Sequence, residues 1–410
     1  MLNKFHETSL LLLVIIAAVL AVVLYLVGAS FLAQPIMMGD VTIAKPIANL
    51  AKDALFVPLK PLMYALIIMS IGASLAISHG GMGAKFMRVF AFMLGFSVIG
   101  GIIAIIGHTV FSGFTILSDP ASVISGAKVE FHKIPFAMKI YGVITSPLMI
   151  SIYAGVIFGG ALKKLDYGQQ ADKISDLFMR GFRKFLQFAI PLAVFGSITL
   201  ALNSPGGIAT LKGLLPLLLV YTLTFGFVWV IMMVVTAIVL RRNIGFVLRA
   251  ILPQALVSVS TSSSIATLPA TKIACDDLGA NGDESTPFFT IGATINMVGT
   301  LMGLTLLSLY SMSAYGLDVS MADKIVVALQ SLIYSVSAAG VPSASVVLLQ
   351  DILTSQGVSA EYATYVTGLI ITLDVLVLDR MRTMLNTQSD SMSTVNGLHV
   401  YYKKPEVLQG

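Results

Sequence analysis

Of 410 residues, 57% are hydrophobic and only 11% are charged, and the formal net charge is +5. A soluble surface needs about a quarter of its residues charged, so a cytosolic enzyme, a nucleic-acid-binding domain and a disordered scaffold are excluded, leaving a polytopic membrane protein. The lone Cys275 has no internal disulfide partner, and His6, His79, His108, His132 and His399 are too scattered to form a ligand set.

A helix crossing the hydrocarbon needs about 20 mostly apolar residues. Runs of that kind are expected near Ser9 to Ala33, Pro61 to Ser78, Val89 to Phe111, Ile140 to Leu162, Phe185 to Leu202 and Leu214 to Leu240. The first is too long for the apolar core of a signal peptide and lacks a small-residue cleavage site, so it is expected to be a retained helix. Loop charges orient these spans. Lys85 with Arg88, the 163–184 loop with Lys163, Lys164, Lys173, Arg180, Arg183 and Lys184, and the Arg241 and Arg242 pair all fall on one side. The positive-inside rule makes that side cytoplasmic, and six crossings put the N-terminus there as well; a plasma or inner membrane with both termini cytoplasmic is expected.

After Arg249 the apolar runs shorten and are interrupted by serine, glycine and proline. Val257 to Thr271 and Tyr334 to Val346 each contain Ser-Val-Ser followed by a proline, and each precedes a long apolar segment carrying polar residues. Paired, broken hydrophobic segments point to a transporter's binding site, because unwound backbone at membrane depth survives only where it lines a cavity. Each stretch with its flanks is long enough for a helical hairpin that enters and leaves on one side. The plainer alternative is that serine and glycine merely ease helix packing.

The last apolar segment carries Asp374, Asp379, Arg380, Arg382 and Asp390. Each such charge costs about 2.5–3.5 kcal/mol at a helix centre, so something must compensate it. At about 100° per residue, Asp379, Arg382, Thr383, Asn386 and Asp390 fall on one stripe roughly 100° wide. Asp379 and Arg382 could simply neutralise each other at i and i+3. That leaves Asn386 and Asp390 on the same face, and a column of carboxylate, guanidinium, hydroxyl and amide suits a zwitterionic acid together with a hard cation.

At these residues the chain resembles the dicarboxylate/amino acid:cation symporter family, which includes the glutamate transporters. Thr261 to Pro269 (TSSSIATLP) resembles the serine-rich tip of that family's first re-entrant hairpin, and Asn296 to Thr300 (NMVGT) its break in the seventh helix. Ala338 to Pro342 (AAGVP) resembles the second hairpin's tip, and Asp379 to Asp390 the substrate-binding eighth helix. The resemblance implies an all-α fold of eight transmembrane helices plus two re-entrant helical hairpins. A scaffold of residues 1–78 and 112–205 would form a homotrimer. A transport domain of 79–111, 206–247, the hairpins 248–275 and 323–354, helix 276–311 and helix 360–398 would move as an elevator, and 399–410 would be a cytoplasmic tail.

By the same resemblance, Asp379 would take the substrate's amino group and Arg382 its side-chain carboxylate. Thr300, Thr383 and Asn386 would bind the substrate as well, while Ser263, Ser264 and the backbone of Val341 would hold the main-chain carboxylate. One sodium site would use Asp390, Asn386, Asn296 and the Gly292 carbonyl; a second would use backbone near Thr294, Ser335, Val336 and Ala338. A buried guanidinium is costly without an anionic partner, so the expected substrate is aspartate or glutamate, brought in with sodium. A neutral amino acid, a C4-dicarboxylate or proton coupling is the alternative within the family.

Four positions depart from the family pattern. Arg380 stands beside Asp379, where Ser262 occupies the hairpin position that holds an arginine in many prokaryotic relatives, and it is expected to bridge Asp379 and tune substrate release. Val298 replaces an aspartate of the third sodium site, so fewer coupled cations are expected. Ile265 and Ala338 replace hydroxyl side chains at the two tips. Outside this class, an intramembrane serine hydrolase lacks a histidine near the serine-rich segments to act as base. A passive anion channel would fail to accumulate solute against a gradient.

Overall fold

A computed structural model describes residues 2–38, 41–77, 83–111, 136–203, 212–337 and 344–398. Among the described residues, the chain is helical apart from one short ribbon. Helix α1 (Leu2–Leu26) is followed by a 3-10 turn (Ser30–Ala33) and by strands β1 (Ile36–Met38) and β2 (Val41–Ala44), antiparallel with Met38 opposite Val41. Then come α2 (Ile47–Ile77), α3 (Gly83–Val110), α4 (Phe136–Ile144), α5 (Pro147–Lys164), α6 (Gly168–Leu202) and α7 (Leu214–Val239). The second half holds α8 (Ile244–Thr261), α9 (Ser264–Asp277), α10 (Gly282–Ile295), α11 (Val298–Ala314), α12 (Met321–Ser337), α13 (Ala344–Ser355) and α14 (Ala360–Leu373). A π turn (Asp374–Leu378) leads from α14 into α15 (Asp379–Leu398).

Among the described residues, six helical segments are long and apolar enough to cross a bilayer: Ala84–Val110, Gly168–Leu202, Leu214–Val239, Ile244–Thr261, Glu284–Ala314 and Ala360–Leu398. Leu12–Leu26 and Pro61–Ala73 are shorter apolar helices. The protein is an integral, multi-pass membrane protein. Exposed Leu12, Ile16, Val19 and Val23 on α1 and Phe227, Val230, Val234 and Ile238 on α7 fit that setting, since lipid tails are a good solvent for such faces.

The expected single span from Ile140 to Leu162 is corrected: it is two helices, α4 and α5, interrupted at Thr145 and Ser146. Ser146 is the N-cap of α5 and accepts from the Met149 N–H at 3.2 Å, with Pro147 in the first turn. Proline has no N–H to continue the preceding helix, but is well suited to start one. The expected run from Phe185 begins much earlier, at Gly168, because the charged residues of the 163–184 loop continue into α6 as a polar first half.

The helices pack in two groups. In one, α2 lies along α5 and α6, and α1 along α6. In the other, α15 is surrounded by α3, α7, α8, α9, α10 and α11. α15 is the most polar helix but is buried along almost its whole length. Its neighbours satisfy much of it, although the Ser393 and Thr394 hydroxyls and the Asn396 Oδ1 are buried without a protein partner. Gln388 accepts from the Trp229 indole at 2.6 Å and donates to the Ile251 carbonyl at 3.1 Å. Gln254 accepts from Ser391 at 2.9 Å and donates to Thr271 and to the Thr387 carbonyl. A buried polar network fully paired in this way fixes the position of α8 and α9 on α15.

Candidate functional site

Two interrupted helices and one helical hairpin build the site. α8 and α9 double back through Ser262, a non-glycine residue in the left-handed region with φ 48° and ψ 32°. Ser263 then caps α9, accepting from the Ala266 N–H at 3.3 Å. Gln254 and Thr271, nearly equidistant from this tip, are bonded at 2.9 Å across the two arms. α12 and α13 form the second pair, tied by Gln330 to Ser355 at 3.0 Å. The expected tip residues Ala338 and Val341 lie outside the described residues.

The break between α10 and α11 falls at Asn296 and Met297. It leaves the first N–H groups of α11 without intrahelical acceptors, and Met297 offers no side-chain cap. Asn386 of α15 supplies the cap from a different helix. Its Oδ1 accepts from the N–H of Gly299 at 2.7 Å and of Thr300 at 3.3 Å, and its Nδ2 donates to Thr300 Oγ1 at 3.1 Å. α15 can approach this closely because of Gly299 and Gly303, four residues apart. A Cβ on Gly299 would lie 2.8 Å from the Arg382 Cα, and one on Gly303 2.9 Å from the Arg382 Cδ. Small residues at this spacing let helix backbones meet.

The stripe expected on α15 is thus a buried column, and its upper end opens on a cavity. The wall is formed by Asp379, Arg382, Thr383 and Asn386 of α15 with Met297 and Thr300 at the break. Ser262, Ser263 and Ser264 close it from the first hairpin, and Ser345 from α13. Its water-accessible space is about 30 Å³, small and lined with hydroxyls. Among the described residues, no histidine lines this wall. The column also contains a residue that the sequence reading left without a role. Arg382 holds Asp374 with both ends of its fork, Nη1 to Oδ1 at 2.5 Å and Nη2 to Oδ2 at 2.9 Å, and Nη2 also reaches Asp379 Oδ1 at 3.0 Å. Eight ordinary helical steps would leave Asp374 about 80° from Arg382. The wider π turn advances less per residue and swings the carboxylate onto the arginine's face.

Further down, Asp390 sits over Gly292, where a Cβ would lie 2.6 Å from its Oδ1. Asn296 donates to Asp390 Oδ1 and to Ser389 Oγ, both at 2.9 Å, and its own Oδ1 is buried without a protein partner. The Gly292 carbonyl accepts from the Asn296 N–H at 2.8 Å. Thr294 lies on the last turn of α10, and Ser335 and Val336 on the last turn of α12, which packs against α10. Arg380 is not among the residues lining the cavity. Its Nη1 donates to the Val259 carbonyl at 2.6 Å, one of the carbonyls left over at the C-terminal end of α8, where a cation also complements the helix dipole.

Met297, Ser262 and Ser345 line the cavity without having been assigned to it from sequence. Ser345 stands inside the second repeat stretch, three residues beyond Pro342, and that placement was its one signal. Val298, fully buried, faces α3, where a Cβ on Gly100 would lie 3.2 Å from its Cγ1.

Comparison with known proteins agrees with the motifs that build this column. The serine/threonine transporter SstT of Streptococcus thermophilus (strain CNRZ 1066) is 27% identical over 254 residues, 61% of this chain and 62% of that protein. The SstT of Acinetobacter baumannii (strain AYE) is 29% identical over 213 residues, 52% of each chain. A Caenorhabditis elegans protein, glt-4, whose name describes a sodium-dependent excitatory amino acid transporter, is 32% identical over 167 residues, 40% of this chain and 32% of that one. The match thus spans about three fifths of the length of the Streptococcus relative. The pattern of the Sodium:dicarboxylate symporter family runs through residues 10–396, from α1 to the end of the polar column, and the chain belongs to that family.

Proposed function

We propose that the protein is a secondary transporter that moves an amino acid together with sodium. The observation that carries this reading is the cavity at the Asp379 end of α15. A carboxylate faces a pocket whose opposite wall is a serine-rich hairpin tip, so an ammonium and a carboxylate on one small molecule find complementary groups at the two ends. The ammonium would sit on Asp379, and the main-chain carboxylate on Ser263, Ser264 and the N-terminal N–H groups of α9. Thr300 and Thr383 would add hydrogen bonds. The names of the Streptococcus and Caenorhabditis relatives, both amino acid transporters, support the same class.

Sodium would be held by Asp390, the Asn296 Oδ1 that has no protein partner and the Gly292 carbonyl, a set of oxygens with one negative charge that suits a hard monovalent cation. A second site would draw on backbone carbonyls of Thr294, Ser335, Val336 and Ala338. Val298 puts an isopropyl group against α3 where a third site would need a carboxylate, so we assign fewer than three sodium ions per substrate. The grouping of α1, α2, α5 and α6 apart from the α15 cluster fits a scaffold and an elevator-like transport domain, and the trimeric assembly is carried over from the family resemblance alone.

Arg382 was the ground for expecting aspartate or glutamate, since a buried guanidinium needs an anion. Asp374 supplies that anion from within the chain, and the side-chain class then turns on this pair. Uptake of a panel of labelled amino acids into proteoliposomes, under imposed sodium or proton gradients, tests the reading. Accumulation above the external concentration that collapses when the sodium gradient is removed supports it; uptake that only equilibrates indicates a passive pore.

A further inference from the structure

α6 is longer than a membrane crossing requires. Its 35 residues rise about 50 Å, against about 30 Å of hydrocarbon, and the excess is the polar first half that ends at Lys184. Where the two halves meet, Arg180, Lys184, Phe188 and Leu192 follow one another at steps of four residues, and all four are exposed. Residues four apart are neighbours on a helix surface, so this is one continuous row running from two cations to two apolar side chains. It is turned away from the buried face of Ala171, Phe182, Leu186 and Ala189, which lies about 140–160° round the helix from Lys184.

Among the described residues, neither Arg180 nor Lys184 makes an ion pair, and Asp176, four residues before Arg180, is not paired with it. Two like charges four residues apart repel each other, and an anion between them removes that repulsion. The surrounding 163–184 stretch carries six basic residues against Asp166, Asp172 and Asp176. The positive-inside rule puts it on the cytoplasmic side, where the leaflet surface is negative.

We propose that this row of α6 is a binding site for one anionic phospholipid of that leaflet. Arg180 and Lys184 hold its phosphate, and Phe188 and Leu192 lie along an acyl chain. The depths agree. Lys184 borders the apolar run that begins at Phe185, and Arg180 stands about 6 Å further out, within the headgroup layer. Lys173, about 10 Å beyond Arg180 on the same side of the helix, is about a Debye length from that layer and adds attraction. A zwitterionic lipid offers the same acyl chains, but its own cation offsets the phosphate, so selectivity rests on the two basic side chains. The site is independent of what the cavity transports.

The test uses the full-length protein purified in detergent and reads its melting temperature against added dioctanoyl-phosphatidylglycerol, dioctanoyl-phosphatidylcholine or inorganic phosphate. Phosphatidylglycerol is expected to raise it saturably by mass action, and the other two, at the same concentration, far less. In Arg180→Gln/Lys184→Gln the half-saturating concentration is expected to rise about 25-fold, roughly fivefold for each cation. Each single variant, with its fivefold shift, repeats the reading should the double one not fold. Equal effects of the two lipids on the wild type overturn the proposal, and so does an unchanged midpoint in the double variant. An equal response to inorganic phosphate also overturns it, because the row is then a site for free anions. A changed oligomeric mass in the double variant, with the lipid response intact, overturns it as well, since the row is then a contact between copies of the chain.

Discussion

Asn386 carries more structural weight than its place on a polar stripe suggests. Its amide terminates one helix while belonging to another, accepting from two N–H groups of α11 and donating to Thr300. Asn386→Leu keeps the volume but strands those buried donors, and a loss of about 1–3 kcal/mol is expected. A lower melting temperature of the detergent-solubilised variant checks this, with Asn386→Asp, which retains the acceptor, recovering part of the loss. Asp390 is the residue proposed to hold sodium. If it holds sodium, added sodium raises the wild-type melting temperature by mass action, whereas Asp390→Asn is expected to melt at a temperature that sodium hardly moves. The stripe of Asp379, Arg382, Thr383, Asn386 and Asp390 was legible because α15 is a regular helix and 100° per residue holds along it. Asp374 was visible as a charge but not as a partner, because the same rule fails across the π turn. Asn386 was legible as a site residue, but its capping role depends on where α11 begins.

At the level of elements, the first hairpin turns on one strained residue. Ser262 holds a left-handed conformation that costs a residue with a Cβ about 1–2 kcal/mol. Ser262→Gly relieves that cost, offset in part by the greater freedom of glycine in the unfolded chain. A modest rise in melting temperature is expected; a fall would mean that the Ser262 side chain makes a contact worth more than the strain. The serine-rich turn between α8 and α9 and the break at NMVGT were legible through motifs, whereas the tip expected between α12 and α13 lies outside the described residues. The break at Thr145 and Ser146 was not, although Ser146 and Pro147 are a serine cap and a first-turn proline in sequence. Averaging hydropathy over Ile140 to Leu162 hides such a cap, because flanking apolar residues on both sides keep the mean high. The β1 and β2 ribbon was also missed, since strands of three and four residues leave too short a pattern to read.

For the whole molecule, composition alone settled the membrane class, but hydropathy does not say which helices belong together. That information is in the contacts: α14 against α6 and α13 against α2 join the two groups, and at the second of these Tyr64 donates to Asp351 at 3.0 Å. Val298 bears on the energetics of the complete cycle. Reversal potentials measured with labelled substrate in proteoliposomes are expected to give fewer than three sodium ions per substrate, and a value of three would refute the assignment. A smaller number of coupled ions lowers the steepest gradient the protein can sustain, since each ion contributes its own electrochemical step. The π turn takes up one residue more than the seven-step spacing that would align Asp374 with Arg382 in a regular helix. Removing a single residue such as Val377 from Asp374–Leu378 would restore ordinary helical winding. Asp374 would then lie seven ordinary helical steps before Arg382, about 20° from it around the axis, so the ion pair is expected to survive a one-residue deletion but not a two-residue one.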